Sequence, residues 1–154
     1  MTYYFDTNIL VTAARYDFPI EPNQAFWGWL VELGKAGIIR IPEMVYGEIG
    51  QGKDSLAVWA KEHRGTFLAP TEETLYSLTA VLNAYENPIR ETTLERIKAD
   101  PYVVAHAHAQ SATVVSYETP SNATVAHNKK IPTICESLGV PCIRFPQFLW
   151  LMKS

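Results

Sequence analysis

Four carboxylates stand where an acid needs a reason. Asp6 closes the short apolar run "YYF" and is followed by Thr7, Asn8 and the apolar Ile9, Leu10 and Val11. Glu118 ends "TVVSYE", a second β-branched run that finishes on an acid, with Ser116 two residues earlier on the same side of a strand. Asp100 opens "DPYVVAHAHA", and Glu48 lies inside "PEMVYGEIG". Taken singly, each has an ordinary explanation. Asp, Thr and Asn satisfy the free N–H groups of a helix start. Asp-Pro reads as an N-cap followed by proline at the first helical position, and a glutamate at a strand end is readily solvated.

Helix phase sharpens two of them. With Pro42 as the first helical residue and about 100° per residue, Glu48 falls about 60° from Val45, within the apolar stripe, whereas Glu43 points away and complements the helix dipole. A carboxylate on a buried face needs a partner or a metal. Asp100 lies above Val103, Val104 and Ala107, the face expected to pack inward. His106 and His108 lie about 120° and 80° from it, and read as packing or surface residues. Jointly the four acids aim at one edge of a sheet. Clustered like charges raise one another's pKa, and oxygen-only ligands of this kind suit a hard cation, Mg²⁺ or Mn²⁺, which activates water and engages phosphates.

The elements that must position these acids alternate between strand and helix, which favours an α/β domain. Strands are expected at 2–6, 37–43, 113–119 and 141–145. Helices are expected at 7–15, 22–36, from Pro42 to about residue 50, at 53–63, at 71–85, from Asp100 onward, after Ile131 up to a turn at Gly139, and at the C-terminus. The segments "GTFLAP" and 86–98 read as connections. The 154 residues make one domain, 1–154, and 47% hydrophobic with 19% charged residues is a globular composition. A net charge of −3 excludes a uniformly basic surface for nucleic acid. No apolar run reaches the roughly 20 residues of a membrane span, and the N-terminus lacks a signal peptide's basic region. Cys135 and Cys142 read as reduced core residues of a cytoplasmic protein, with no cluster that would make a zinc site. Trp27 and Trp29 cannot both face one way on a helix, so one is expected at the surface or in a homodimer interface.

In order and spacing, "YFDTNIL", "IPEMVYGEI", "ADPYVVAHAHA" and "TVVSYE" resemble the PIN domain, a metal-dependent ribonuclease domain found in VapC-type toxins and RNA-processing factors. The closing "IPTICESLGVPCIRF" is similar to that family's last helix and strand. The resemblance implies a three-layer α/β/α sandwich around a central parallel sheet, with an acidic pocket at the strand ends. It implies that Asp6, Glu48 and Asp100 hold or orient Mg²⁺ or Mn²⁺, with Thr7, Asn8 and Ser116 in support. Glu118 departs from the family, where Asp is commoner. Its extra methylene moves the carboxylate outward by about 1.5 Å, which suits ligation through water or a weaker second metal. The implied activity is hydrolysis of single-stranded or loop RNA to leave a 5′-phosphate, as the toxin of a toxin–antitoxin pair. Lys61, Arg64, Lys129 and Lys130 are candidate RNA contacts. The alternative is a PIN-fold module without cleavage that binds an antitoxin or RNA. A haloacid-dehalogenase-type phosphatase, which needs a second acid two residues after the first, is disfavoured by Asn8.

Overall fold

The structure, a computed structural model, describes residues 1–153. Its centre is the strand β1 (Tyr3–Phe5), buried on both faces. Each face has its own partner because successive side chains alternate. Tyr3 and Phe5 meet Phe148 edge-on, each at 5.1 Å between ring centroids, while Tyr4 stacks on His106 at 5.4 Å on the other side. A strand covered on both faces is apolar throughout rather than alternating, which is why "YYF" carries no polar residue until Asp6 ends it.

Around β1 the sheet is wholly parallel. It comprises β2 (Ile39–Pro42), β3 (Phe67–Leu68), β4 (Thr113–Ser116) and β5 (Cys142–Arg144), in the order β3-β2-β1-β4-β5. Tyr3 pairs with both Ile39 and Thr113, and Val114 pairs with Cys142. The helices that cross between strands are α1 (Thr7–Thr12), α2 (Gln24–Lys35), α3 (Glu43–Ile49), α4 (Ser55–Glu62), α5 (Glu72–Tyr85), α6 (Glu91–Ile97), α7 (Asp100–Ala109) and α8 (Ile131–Leu138), with α9 (Phe145–Lys153) closing the chain. One face of the sheet carries α7 and α8 backed by α5, and the other carries α2 and α9. This is the three-layer α/β/α sandwich that the resemblance implies. Among the described residues no helix is long and apolar enough to cross a membrane.

Several boundaries differ from expectation, each for a local reason. Pro42 is the last residue of β2, and α3 begins at Glu43, because proline here keeps an extended backbone (ψ 145°). Ala99, not Asp100, is the N-cap of α7, so Asp100 is the first helical residue and Pro101 the second. Strand β4 stops at Ser116, two residues short of Glu118. "GTFLAP" holds β3, a two-residue strand that owes its existence to pairing with Ile41 and Pro42. Within 86–98, α6 forms despite its polar sequence. The Glu86 carboxylate accepts the N–H of Arg90 and the hydroxyl of Thr93, and Thr93 and Ile97 are buried. Trp27 is buried, and Trp29 is half-covered by Phe26 and Phe148 within the same chain. Cys135 is buried and Cys142 half-buried, both reduced.

Two features of this scaffold have measurable consequences. Lys98 turns the chain from α6 into α7 at φ +50°, ψ −120°, a conformation that favours glycine. Lys98→Gly is expected to raise stability by about 1 kcal/mol in urea unfolding; an unchanged or lower midpoint refutes the strain. His106 is held neutral by burial, which pushes its pKa down from 6.5 to about 4. Between those values the unfolded chain takes up a proton that the native chain does not, so this residue costs stability as pH falls from about 6.5 to 4. Compared with the wild type, His106→Phe should lose less stability between pH 7 and pH 4.5. Parallel curves would show that the imidazole does not titrate in this way.

Candidate functional site

The strand order reverses between β1 and β4, and ligands in open α/β sheets gather outside the carboxyl ends of strands at such a switch point. Asp6 leaves β1 there and Glu118 follows β4. Asp6 is 1% exposed. Its Oδ1 accepts the N–H of Ile9 at 3.2 Å and caps α1, while its Oδ2 is buried with no hydrogen-bond partner among the described residues. The residue is therefore a cap and, with its other oxygen, a free acceptor able to ligate a cation.

Glu118 is held from two sides. Asn8 donates through Nδ2 to Oε1 at 3.1 Å, and the Glu118 N–H donates to the Ser116 hydroxyl oxygen at 3.0 Å. Oε2 is buried without a partner among the described residues, as is the Thr7 hydroxyl in the first turn of α1. Ser116 is fully buried, and its hydroxyl, besides accepting from Glu118, favours the charged form of Asp6. It thus bears on both strand-end acids.

Asp100, at the first turn of α7, completes the inner group. Burial raises its pKa to about 8, with further contributions from Asp6, Glu118 and Glu48, and Lys130 opposing. Burial likewise raises Asp6 to about 7 against the opposing influence of the Ser116 hydroxyl, with Glu118 adding to the rise. Glu48 differs from expectation. Val45 and Ile49 of α3 are buried, but Glu48 is exposed. It reaches across to α7, where its Oε1 accepts the N–H of Ala99 at 2.7 Å. Its partner is thus the backbone beside Asp100, so no buried charge has to be compensated.

Tyr85 was not foreseen. It ends α5, is 1% exposed, and its hydroxyl has no hydrogen-bond partner among the described residues. Burial first, then Asp100 and, more weakly, Cys135, Glu118 and Asp6 raise its pKa, so the hydroxyl lies in the field of the acids. In the sequence it stands four residues after buried Val81 and reads as core.

The candidate RNA contacts are placed less uniformly. Lys129 donates to the carbonyls of Ala84 and Tyr85 at 3.3 and 2.7 Å, capping α5. Lys61 donates to the Gly52 carbonyl, and Arg64 pairs with Glu43 at 3.1 Å while lying over the Tyr46 ring. Lys130, exposed beside the first turn of α8, acts on Asp100. His106 and His108 take packing and surface roles, the latter bonded to Ser77.

Whether the site fits a metal can be judged from its donors. Every one is oxygen, Asp6 Oδ2, Glu118 Oε2 and Thr7 Oγ1 are buried without partners, and the mutual repulsion of the acids would be relieved by a cation. Among the described residues no three Asp, Glu, His or Cys side chains are drawn tightly enough together to hold an ion by themselves. That chemistry fits a hard cation that keeps several waters, such as Mg²⁺ or Mn²⁺, better than a fully enclosed one.

Comparison with known proteins bears on the fold. The chain is similar to one in the crystal structure of VapBC2 from Rickettsia felis bound to a DNA fragment from their promoter, with 15% identity over 94% of this chain and 99% of that one and a TM-score of 0.54. A chain of FitAcB from Neisseria gonorrhoeae aligns at 16% identity over 92% of this chain and 96% of that one, with a TM-score of 0.48. At such identity the first likeness shows a PIN-like α/β fold and nothing finer. No curated protein matches. A family model does match, from residue 3 to residue 153, taking in all four acids, so the chain belongs to the family described as Domain of unknown function (DUF4411).

Proposed function

We propose that this protein is a Mg²⁺- or Mn²⁺-dependent endoribonuclease. The observation that supports the reading is that Asp6, Glu48 and Glu118, from separate parts of the chain, all act on Asp100, with Asp6 Oδ2 and Glu118 Oε2 left unpartnered among the described residues. Asp6, Asp100 and Glu118 would hold the metal, and Glu48 would join directly or through water. Bound there, the metal would supply a water of lowered pKa and neutralise charge on the phosphodiester. The chain's own residues do the rest. Asp6 keeps its free oxygen fixed because its other oxygen is tied to α1. Asn8 and Ser116 hold Glu118 in place, and Glu48 steadies the backbone that carries Asp100. Lys130 places a positive charge beside the acids, where a substrate phosphate would otherwise meet only negative ones.

A role as the toxin of a toxin–antitoxin pair, with an antitoxin protein as partner, belongs to the same proposal. It is supported by the resemblance to VapC-type domains and by the likeness to a VapBC2 chain.

The test is cleavage of a mixed pool of structured and unstructured RNAs in Mn²⁺, in Mg²⁺ and in EDTA. Cleavage should need metal, produce 5′-phosphate ends, and fall by about 100-fold or more in Asp6→Asn and in Asp100→Asn. A folded wild type that neither cuts RNA nor binds Mn²⁺ overturns the reading in favour of a module that acts by binding alone. Asn8→Ala, which releases Glu118, should weaken Mn²⁺ binding by about 10–100-fold.

Stability should move the opposite way. The pKa values of Asp6 and Asp100 are raised from 3.8 to about 7 and about 8. The native metal-free chain therefore binds protons more tightly than the unfolded chain, and loses stability as pH rises from about 4 to about 8. In EDTA at pH 8, Asp6→Asn, which retains a capping side chain, should be more stable than the wild type by roughly 1 kcal/mol or more. Added Mn²⁺ should reverse the order. Equal melting temperatures in EDTA would show that the acids do not repel one another as described.

A further inference from the structure

Beside the acidic cluster lies a cavity that the proposed cleavage chemistry leaves unused. It occupies about 650 Å³ between α3, α5, α6 and α7, within the ~300–1,000 Å³ range of small-ligand sites. Met44, Tyr46, Leu78, Leu82, Leu94 and Tyr102 line it, and Met44 and Leu94 remain exposed. Its wall is shared with the acids. Glu48 forms part of it, as do Ala99 and Pro101, the neighbours of Asp100 on either side. Its charged lining is mixed: Glu43, Glu48 and Glu95 face Lys98 and Arg64, the last paired with Glu43 and packed over the Tyr46 ring.

Gly47 gives a second, independent indication. It sits inside α3 and lines the cavity, and a Cβ placed there would meet no heavy atom within 4 Å. Glycine inside a helix weakens it, and here no neighbour requires one. What its missing side chain does is keep the cavity open. Gly28 in α2 also faces open space, but the cavity it lines is about 310 Å³ and none of the four acids contributes to it.

The geometry points to this cavity as a subsite for one unpaired base of the RNA, next to the phosphate that the acidic cluster addresses. The inference rests on the ribonuclease reading and names how its substrate is chosen. A tyrosine ring such as that of Tyr102, set among aliphatic walls, accepts the face of any base, and such stacking tolerates sequence. A base held in a duplex cannot enter, so the subsite selects single-stranded or looped RNA. An apolar peptide side chain would also fill an apolar hole. The wall shared with Glu48 and the neighbours of Asp100 favours the part of a substrate that must lie next to the cleaved bond.

The experiment uses the Asp6→Asn protein, which should not cleave, in Mg²⁺. Fluorescence anisotropy compares a fluorescein-labelled pool of unstructured 12-nucleotide RNAs with a matched oligonucleotide of abasic residues. The RNA pool should bind about tenfold more tightly. Adding Gly47→Leu, which places a side chain in the cavity, should erase that preference without lowering the melting temperature, and adding Tyr102→Ala should reduce it. Where binding is too weak for anisotropy, the KM for cleavage of the RNA pool by the Gly47→Leu protein, expected to rise about tenfold over wild type, is the readout. Retention of the preference, or of the KM, in Gly47→Leu overturns the subsite while leaving the ribonuclease reading intact, and so does equal binding of the two pools. A wild type that does not cleave, together with an Asp6→Asn protein that binds neither pool, overturns both.

Discussion

The rest of this structure is built around a repulsion. Asp6, Asp100 and Glu118 are brought into one another's field at the edge of an apolar sheet, where burial first, and then the neighbouring acids, raise the pKa of the first two to about 7 and about 8. Left to relax, such groups would move apart or keep their protons. They are prevented because each is anchored to a rigid element: Asp6 and Glu118 both to α1, the first through its capping oxygen and the second through Asn8, Glu118 also to Ser116 at the end of β4, and Asp100 in the first turn of α7. The fold therefore stores unfavourable electrostatics at one point and offsets them with the apolar core around β1, where Phe5, Ile9, Leu10 and Val115 are fully buried. A protein arranged this way is less stable without a counter-charge than it could be, as expected of a functional site held above a stability threshold.

Topology makes the arrangement economical. A parallel sheet whose order reverses between β1 and β4 brings two strand ends together without any long loop, so strands of three and four residues suffice. The helix that carries Asp100 packs on β1, β2 and β4, so the third acid is set by the same core contacts that hold the strands. Glu48 joins from α3 through a single hydrogen bond to Ala99, immediately after the positive-φ turn at Lys98. Backbone strain at that turn and the acid that meets the next residue are parts of one local solution to starting α7 in the right place.

Much of this was legible in the sequence because it depends on neighbours along the chain. A strand that is apolar throughout and then stops on an acid identifies β1 and Asp6, and "TVVS" does the same for the approach to Glu118. The helix and strand alternation, the turn at Gly139 and the packing role of His106 follow from the same local logic. What the sequence concealed depends on distant partners. β3 exists because Ile41 and Pro42 are there to pair with it, and α6 because Glu86 accepts from Arg90 and Thr93. Glu48 was legible as unusual, but helix phase assigned it to the buried stripe, whereas its contact runs sideways to a helix some fifty residues away. Tyr85 was invisible, since an aromatic residue on an apolar helix face reads the same whether or not its hydroxyl faces a cluster of acids.

The basic residues explain how such a site could engage RNA on a chain of net charge −3. Three of the four cations singled out from the sequence have structural work: Lys129 caps α5, Lys61 bonds the Gly52 carbonyl, and Arg64 is paired with Glu43 over Tyr46. Lys130 is left acting on the acidic cluster itself. These four residues therefore do not by themselves offer affinity built on many phosphate contacts. A substrate held by a few groups close to the cleaved bond, through the cation the acids call for and through a base in the adjacent apolar cavity, needs no extended basic face. On the proposed ribonuclease reading, an acidic protein can then recognise a polyanion locally without binding it everywhere, and clustered acids and the proposed nucleic-acid substrate become one requirement.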